Sequence, residues 1–381
     1  MTQKKYTIGY VADNNPFTNK NAWSGLVYKV REAIENAGFD VVWINCRPNS
    51  KIDRLAEEAN KLVHGKATMY CHTRSYHYLR AKAVDRKLLD KCDALFFPGG
   101  VQMMSYLRCN KPTVFYTDNT FRIMCGYYWG AMSDWQYRMG EKLERQAIAN
   151  STVILKASNW AAESVARDYG SDKPVYVLKF GANIDETDLR PITPYSGEGP
   201  LNILFSGVDW KRKGADVAIG TVEELRRRGI DARLTIVGLR SLPEQYRDRE
   251  YINFAGFLNK TNKDEYARYI SLMRDIHLFL LPTRAECAGI VFCEASAMGI
   301  PTFTYDTGGI PDYVKDGVNG YRLPLAAGAR EYADKIESAV KEGKLQSLFD
   351  SSRQYYRDSL NWGVWSRQFR EVMMPILEAK G

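Results

Sequence analysis

Residues 276–305 read IHLFLLPTRAECAGIVFCEASAMGIPTFTY and contain the clearest strand–helix–strand pattern of the chain. The runs at 276–281 and 301–305 have the length and apolar composition of buried strands. The residues at 289–298 between them predict a helix, with Gly299 as its C-cap. Continuous apolar strands separated by helices are typical of parallel sheets that are covered on both faces. This segment therefore predicts an α/β fold.

The same alternation extends along the whole chain. Further strands are predicted at 7–12, 40–45, 94–97, 113–116, 152–157, 175–180, 202–205 and 233–237. A segment rich in proline, glycine and serine interrupts the pattern, and 381 residues exceed the size of one hydrophobic core. We therefore predict two Rossmann-like domains, at 1–190 and 201–360, joined by a linker at 191–200. Apolar residues at helical spacing predict that residues 361–381 form an amphipathic helix.

The composition excludes several classes of protein. Hydrophobic residues make up 45% of the chain and charged residues 26%, which is ordinary for a globular enzyme and excludes a disordered or collagen-like chain. The sequence has no run of about 18 apolar residues, which a membrane span needs, and no signal-peptide pattern at its start. Its seven cysteines form no C-x-x-C pair, so we expect reduced thiols in a cytoplasmic protein.

Most of the net charge of +8 comes from the first half of the chain. Residues 51–111 contain twelve lysines and arginines, including Arg80, and six acidic residues. Such a basic region suggests an acidic partner: an anionic membrane surface, at which the protein would be peripheral, a nucleic acid or an anionic glycan. An ordinary solvated surface is the alternative.

Motifs for several common chemistries are absent from the sequence. It has no G-x-x-x-x-G-K-[ST] phosphate loop, no G-x-G-x-x-G dinucleotide fingerprint, no G-x-S-x-G elbow and no H-E-x-x-H pair. It also lacks an Asp-x-Asp pair that could hold a divalent ion on a diphosphate. An α/β dehydrogenase is therefore disfavoured.

Two segments of the C-terminal domain have the residues to bind an anion. The helix predicted at 289–298 begins at Gly289, and the N–H groups of a helix N-terminus suit a diphosphate. At an earlier strand-to-helix turn, Lys211, Arg212 and Lys213 add positive charge that could hold the same group. A solvated basic turn is the alternative for these three residues.

Four motifs in the C-terminal half point to one family. Glu286 and Glu294 have the spacing E-x7-E, and A-M-G-x-P, G-G-I-P and D-G-x-N-G follow at 297–301, 308–311 and 316–320. Together they resemble the retaining glycosyltransferases of family four, which have the GT-B fold. The resemblance implies two Rossmann-like domains facing each other across a cleft, with the C-terminal helix packed back on the N-terminal domain.

The resemblance also implies roles for individual residues. The first glutamate of this family contacts the donor sugar and the second binds the nucleotide ribose, roles that fall on Glu286 and Glu294. The lysine of the K-G step binds the diphosphate, a role for Lys213. The other donor-binding residues that the resemblance implies are Gly207, Gly289, Ile290, Val291 and Lys211.

Two departures from the family pattern matter. The arginine that usually follows the first glycine is Val208 here, so Arg212, or else Lys211, is expected to supply the second charge. At the end of the strand at 113–116, where many members have histidine, Asp118 becomes the candidate facing the reacting sugar. An Asx turn that ends the strand is the alternative for Asp118.

Candidate acceptor residues come from the N-terminal half, which matches the family more loosely. Ser24 and Gly25 follow the first strand, and Asn183 precedes the linker, at positions that fit the family. Tyr128 and Trp129 lie in an aromatic segment and are candidates because aromatic rings stack on sugars or bases. Packing in the core is the alternative for these two aromatic residues.

The sequence thus predicts a hexosyltransferase that moves a sugar from a UDP- or GDP-linked donor to an acceptor hydroxyl and keeps the α configuration. The nucleotide sugar is a co-substrate, and no metal or other cofactor is expected, because basic residues and a helix N-terminus would neutralise the diphosphate. The acceptor is a glycan or a lipid carrier. The alternatives are a glycosyltransferase that acts on modified DNA bases and a nucleotide-sugar-binding module without catalysis.

Overall fold

The computed structural model of the chain describes residues 5–99, 103–189 and 192–379. It contains two parallel six-stranded sheets with flanking helices, which confirms the predicted α/β class. The chain divides into two compact units: residues 1–179 with 365–381, here called the N-terminal unit, and residues 180–364, the C-terminal unit. Arg190, the last residue of the first predicted domain, and Pro191, the first residue of the predicted linker, lie outside the described residues. The division into acceptor and donor domains stays a prediction.

The sheet of the N-terminal unit has the order β2-β1-β3-β4-β5-β6. Its strands are β1 (Thr7–Ala12), β2 (Asp40–Asn45), β3 (Ala94–Pro98), β4 (Thr113–Thr117), β5 (Val153–Lys156) and β6 (Val175–Val177). The helices are α1 (Leu26–Asn36), α2 (Ser50–His64), α3 (Arg74–Ala83), α4 (Arg86–Asp90), α5 (Phe121–Met124), α6 (Asp134–Asn150) and α7 (Asn159–Tyr169). Strands β4 and β5 are buried along their whole length, as expected for parallel strands covered on both faces.

The sheet of the C-terminal unit has the order β12-β11-β10-β7-β8-β9. Its strands are β7 (Leu201–Ser206), β8 (Ala232–Val237), β9 (Ile252–Gly256), β10 (Leu278–Leu281), β11 (Thr302–Tyr305) and β12 (Gly320–Leu323). The helices that begin in this unit are α8 (Trp210–Lys213), α9 (Ala215–Arg227), α10 (Lys263–Arg274), α11 (Ile290–Met298), α12 (Ala329–Lys341), α13 (Lys344–Ser359) and α14 (Trp362–Glu378). Strands β9 and β12 are the two edges of the sheet and were not predicted.

Helix α14 belongs to the N-terminal unit from Trp365 onwards. The Trp365 side chain is fully buried, and its indole N–H donates to the Tyr116 hydroxyl at 3.0 Å. The Trp365 ring stacks on Phe369 with centroids 4.9 Å apart, and the Ser366 hydroxyl donates to the carbonyl oxygen of Ala33 at 2.8 Å. The prediction that the C-terminal helix packs on the N-terminal part of the chain is therefore confirmed.

Candidate functional site

The predicted donor residues lie where the strand order of the C-terminal sheet reverses. Strand β7 is the first strand of this unit in the chain, and it has β8 on one side and β10 on the other. In open α/β sheets, ligands bind outside the carboxyl ends of the strands at this switch point. The residues that follow β7 and β10 are those of the basic turn and of the loop that carries Glu286, so the fold brings the two predicted anion-binding segments together.

The basic turn after β7 is shaped by glycine and fits closely against the end of β10. Asp209 caps α8 by accepting from the backbone N–H of Arg212 at 2.7 Å. Gly214 ends α8 with a φ of 74° in the left-handed region, and a Cβ atom at this position would lie 2.1 Å from the carbonyl oxygen of Pro282. Only glycine fits here without displacing the backbone of the neighbouring loop.

Lys213 and Glu286 form an ion pair between the two loops. The Lys213 ammonium donates to the Glu286 carboxylate, and the two side chains are only 11% and 13% exposed. The methylene stem of Lys213 lies over Gly207, where an added Cβ atom would be 2.7 Å from Lys213 Cγ. A largely desolvated pair of this kind holds both groups in place, because removing one partner leaves a buried charge.

Two hydrogen bonds at Arg212, one from its side chain and one to its backbone, connect the same two loops. The Arg212 guanidinium donates to the carbonyl oxygen of Ala285 at 3.2 Å, and the Arg212 carbonyl oxygen accepts from the Arg284 backbone N–H at 2.7 Å. Arg284 also forms a two-point ion pair with Asp216, at 3.0 and 2.8 Å. The predicted site did not include Arg284 and Asp216. Lys211, the other candidate for the second charge, is exposed.

The N-terminus of α11 faces the same region and has no side-chain cap. Gly289, which has no side chain to cap the helix, precedes it with a φ of 97°. Ile290 and Val291 are half-buried, whereas the residues from Phe292 to the end of the helix are buried. The first N–H groups of a helix have no partner within it, so they are available to an anion. This confirms the predicted helix and its start.

Glu294 is fully buried inside α11. Its carboxylate accepts hydrogen bonds from Lys260 and Tyr269, which no sequence motif had indicated. The Lys260 ammonium donates to both carboxylate oxygens at 2.6 Å, and the Tyr269 hydroxyl donates at 2.8 Å. Burial and the adjacent Glu294 carboxylate raise the pKa of Tyr269 well above its usual value, which keeps Tyr269 a hydrogen-bond donor. Both carboxylate oxygens of Glu294 thus accept hydrogen bonds from side chains of the same unit.

Ser24 and Gly25 lie in a strained turn of the N-terminal unit. Trp23, Ser24 and Gly25 follow one another in the left-handed region, with φ values of 50°, 56° and 86°. This conformation costs roughly 1–2 kcal/mol for each residue that is not glycine. The Trp23 ring holds the turn: it packs on Gly99, where an added Cβ atom would lie 3.2 Å from Trp23 Cε3, and contacts the Tyr116 ring edge-on at 6.0 Å.

Asp118 lies directly after β4 and is connected through Asn119 to the buried Lys156. Its carboxylate accepts from the Asn119 side-chain amide at 2.7 Å, and the Asn119 carbonyl oxygen accepts from the Lys156 ammonium at 2.7 Å. Lys156 is fully buried and also donates to the Thr117 hydroxyl at 2.6 Å. Burial lowers the pKa of Lys156, and the carboxylates of Glu144 and Asp118 oppose that shift. Lys156 therefore fixes the backbone that carries Asp118.

Glu144, the carboxylate that faces Lys156, is itself 4% exposed. Burial raises its pKa to about 7, which the positive charge of Lys156 opposes. Among the described atoms, Glu144 Oε1 has no hydrogen-bond partner. Neither Glu144 nor Lys156 has a sequence signal that marks it as a site residue. Each occupies an apolar position of a helix or strand, and the pattern there predicts a core residue.

The two aromatic candidates differ in exposure. Trp129 is half-buried and packs against the rings of His72 and Phe121, with centroids 4.5 and 5.6 Å apart. Tyr128 is 40% exposed. Packing therefore accounts for much of the Trp129 ring, and Tyr128 is the more accessible of the two. A role of either residue in acceptor binding stays a prediction.

The predicted site residues divide between the two units. Asn183 lies in the C-terminal unit, beside Ala182, whose carbonyl oxygen accepts from the Trp362 indole N–H at 2.9 Å. The other acceptor candidates and Asp118 lie in the N-terminal unit, whereas the donor residues all lie in the C-terminal unit. Within residues 5–99, 103–189 and 192–379, no group of three or more histidine, cysteine, aspartate or glutamate side chains has an arrangement that could hold a metal ion.

Residues 194–354, which contain the loops of Lys213, Glu286 and Glu294, match the family model described as Glycosyl transferases group 1. This part of the chain is therefore similar in sequence to a glycosyltransferase domain. The chain is 29% identical over 196 residues to a putative colanic acid biosynthesis glycosyltransferase, WcaL, of Salmonella typhimurium, covering 46% of each chain. It is 35% identical over 200 residues to a GDP-mannose-dependent alpha-(1-6)-phosphatidylinositol monomannoside mannosyltransferase of Mycolicibacterium smegmatis, covering 48% of this chain and 50% of that one. The alignments thus span about half the length of these two relatives.

A solved structure resembles nearly the whole chain. The structure of Anabaena Alr3699/HepE in complex with UDP and glucose has a TM-score of 0.63 and 14% sequence identity, with 97% of this chain and 99% of that chain covered. At this identity the likeness shows the fold, and it confirms the predicted GT-B class. Among the described residues, no helix has both the length and the apolar composition needed to cross a bilayer.

Proposed function

We propose that the protein transfers a sugar from a nucleotide diphosphate donor to an acceptor hydroxyl and retains the α configuration. The observation that carries this proposal is the Lys213–Glu286 pair at the switch point of the C-terminal sheet, next to the uncapped N-terminus of α11. One cationic group and one carboxylate are held there within contact of each other. A donor has a matching pair of features, an anionic diphosphate joined to a neutral sugar rich in hydroxyl groups.

The diphosphate is assigned to the positive side of this arrangement. Lys213, the N–H groups at the start of α11 and the neighbouring guanidinium of Arg212 would neutralise it. Negative charge grows on the diphosphate as it leaves, so these groups act most strongly in the transition state. Three such groups support a mechanism without a metal ion.

The sugar and ribose are assigned to the two glutamates. Glu286 accepts hydrogen bonds from sugar hydroxyls once Lys213 turns towards the phosphate. Glu294 accepts from the ribose hydroxyls and shares its oxygens with Lys260 and Tyr269. In retention at the front face, the departing diphosphate takes the proton of the acceptor hydroxyl, so the protein contributes positioning and electrostatic stabilisation rather than a base.

The identity of the donor and acceptor rests on the chemistry of similar proteins. A structural neighbour binds UDP and glucose, and one relative is named as GDP-mannose-dependent, so both nucleotides fit the proposal. The same relative's name includes phosphatidylinositol monomannoside, and this supports a glycan or lipid-linked acceptor. Seven free cysteines support a location in the reducing cytoplasm.

Nucleotide release from a panel of UDP- and GDP-linked sugars tests the proposal. We expect release of one nucleotide by the wild type, an α-linked product by NMR, and loss of release in Glu286→Gln with nucleotide binding retained. Substitution of Lys213 is compared with Lys341→Met, because Lys341 is 72% exposed on α12. Absence of nucleotide binding and of release with every donor would refute the proposal.

A further inference from the structure

Helix α2 contacts the rest of the N-terminal unit through its polar side. Asp53 accepts two hydrogen bonds from Arg80 at 3.0 Å and one from the Tyr70 hydroxyl at 3.0 Å. Asn60 donates to the Ser75 hydroxyl at 2.6 Å. None of the fifteen residues of α2 is buried. Arg80, counted above as part of the basic region, is instead buried in this ion pair and cannot meet a partner.

The apolar side of α2 faces solvent along its whole length. The exposed apolar residues are Ile52, Leu55, Ala59, Leu62 and Val63, which recur at positions i, i+3, i+7, i+10 and i+11 of the helix and form one stripe, here called the α2 stripe. Leu55, Leu62 and Val63 are 70%, 88% and 72% exposed. A surface helix of a globular protein normally turns such a stripe towards the core. This helix has the opposite orientation, which indicates that something outside the unit covers the stripe.

The charges around the stripe favour an anionic surface. Arg47, Lys51, Arg54 and Lys66 are all exposed on or next to α2. All three acidic residues of the helix are paired: Asp53 with Arg80, and Glu57 and Glu58 with Lys61 at 2.7 and 3.5 Å. An apolar stripe bordered by exposed lysine and arginine is the pattern of a helix that lies in the plane of a membrane interface.

We propose that α2 docks the protein on an anionic lipid surface through this stripe. Its apolar side chains enter the boundary between headgroups and acyl chains, and Lys51, Arg54 and Lys66 reach the lipid phosphates with their long stems along the surface. Pairing with a second copy of the chain fits less well. A symmetric antiparallel pair would place Lys51 and Arg54 of one helix opposite Lys66 of the other.

The inference extends the proposed function, because a docked protein would meet a lipid-linked acceptor at the surface that carries it. Docking itself is measured without any turnover, by co-sedimentation of the full chain with vesicles. The two vesicle types are phosphatidylcholine alone and phosphatidylcholine mixed with phosphatidylglycerol. We expect binding to the mixed vesicles and much weaker binding to the neutral ones, with added salt weakening the former.

Three variants identify the surface. Leu55→Gln with Leu62→Gln should lower the vesicle partition coefficient about a hundredfold, since each leucine that fails to enter the apolar boundary costs about tenfold. Lys51→Gln with Arg54→Gln should weaken the preference for anionic vesicles, because two of the exposed cations are removed and Lys66 remains. Leu325→Gln, at a leucine of the C-terminal unit that is 53% exposed, is the matched control and should bind like the wild type.

Either of two results would overturn the inference. One is wild-type binding by the double leucine variant. The other result is a wild type that binds no vesicles and elutes as a dimer on size exclusion, with the double leucine variant eluting as a monomer. That result would assign the α2 stripe to a second copy of the chain. Nucleotide binding by the same variant, measured without vesicles, separates this inference from the proposed function. We expect that binding to be unchanged, because α2 and the donor residues belong to different units.

Discussion

Replacing Lys213 with methionine removes the ammonium but keeps most of the side-chain volume that covers Gly207. The Glu286 carboxylate, 13% exposed, then loses the neighbouring ammonium in a largely desolvated place. Breaking a fully buried pair costs about 3–5 kcal/mol. Because both groups keep some contact with water, we expect Lys213→Met to lower the free energy of unfolding by about 2–3 kcal/mol.

The effect on turnover has a different origin. Lys213 is assigned to the leaving diphosphate, and removing one preorganised group that stabilises transition-state charge costs about a hundredfold to a thousandfold in kcat. The double variant Lys213→Met with Glu286→Gln separates the two effects. It removes both charges of the pair, so its stability should return to within about 1 kcal/mol of the wild type. Its turnover should stay at least as low as that of the single variant.

Urea unfolding and steady-state kinetics on the wild type, Lys213→Met and the double variant provide the measurements, with Lys341→Met as the exposed-lysine control. Wild-type stability of Lys213→Met would show that the ion pair contributes nothing in solution. A raised KM with unchanged kcat would show that Lys213 only tethers the donor, since an interaction made equally in both states does not alter kcat. Recovery of turnover in the double variant would refute the assignment of Lys213 to the leaving group.

Three further predictions follow from the same structure. Burial raises the pKa of Glu144 to about 7 from the ordinary value of 4.5. The folded protein therefore binds the proton of the Glu144 carboxyl more tightly than the unfolded chain does. As a result, the free energy of unfolding falls as the pH rises from 4.5 to about 7. The free energy of unfolding of Glu144→Gln, relative to that of the wild type, should therefore be higher near about pH 8 than near about pH 5 in urea unfolding. An equal difference between the two proteins at both pH values would contradict the burial argument. Ser24→Gly should raise the free energy of unfolding by up to about 1 kcal/mol, because glycine relieves a φ of 56°; a lower melting temperature would show that the Ser24 side chain stabilises the turn. Turnover should persist in EDTA, and complete loss that magnesium or manganese restores would refute charge neutralisation by the protein alone.

In the C-terminal sheet, the sequence predicts the central strands better than the two edge strands. The four central strands β7, β8, β10 and β11 begin and end within two residues of the predicted bounds, because continuous apolar runs between turn residues mark a buried strand clearly. Strand β9 was missed because it lies at an edge: of its five residues only Ala255 is buried, so its pattern resembles a loop. Helix α11 was predicted closely, since Gly289 and Gly299 take left-handed conformations at its two ends.

The predicted site residues were those with a local sequence signature. Glu286 and Glu294 belong to a spaced motif, whereas Lys260 precedes Glu294 by 34 positions and meets it only through the fold. Lys156 was hidden in the apolar context of β5. In the basic region, composition counted Arg80 as surface charge, but the fold buries it against Asp53. Charge pairing across elements cannot be deduced from a count of residue types.

The packing of α14 has a consequence for synthesis on the ribosome. Trp365 completes the core around Tyr116, but it follows the last residue of the first segment of that unit, Lys179, by more than 180 positions. At ordinary rates of elongation the ribosome needs roughly 10–40 s to make that interval. During this time the apolar surface that Trp365 and Phe369 will cover is open. The first unit to begin synthesis can therefore complete its core only after the second unit has been made.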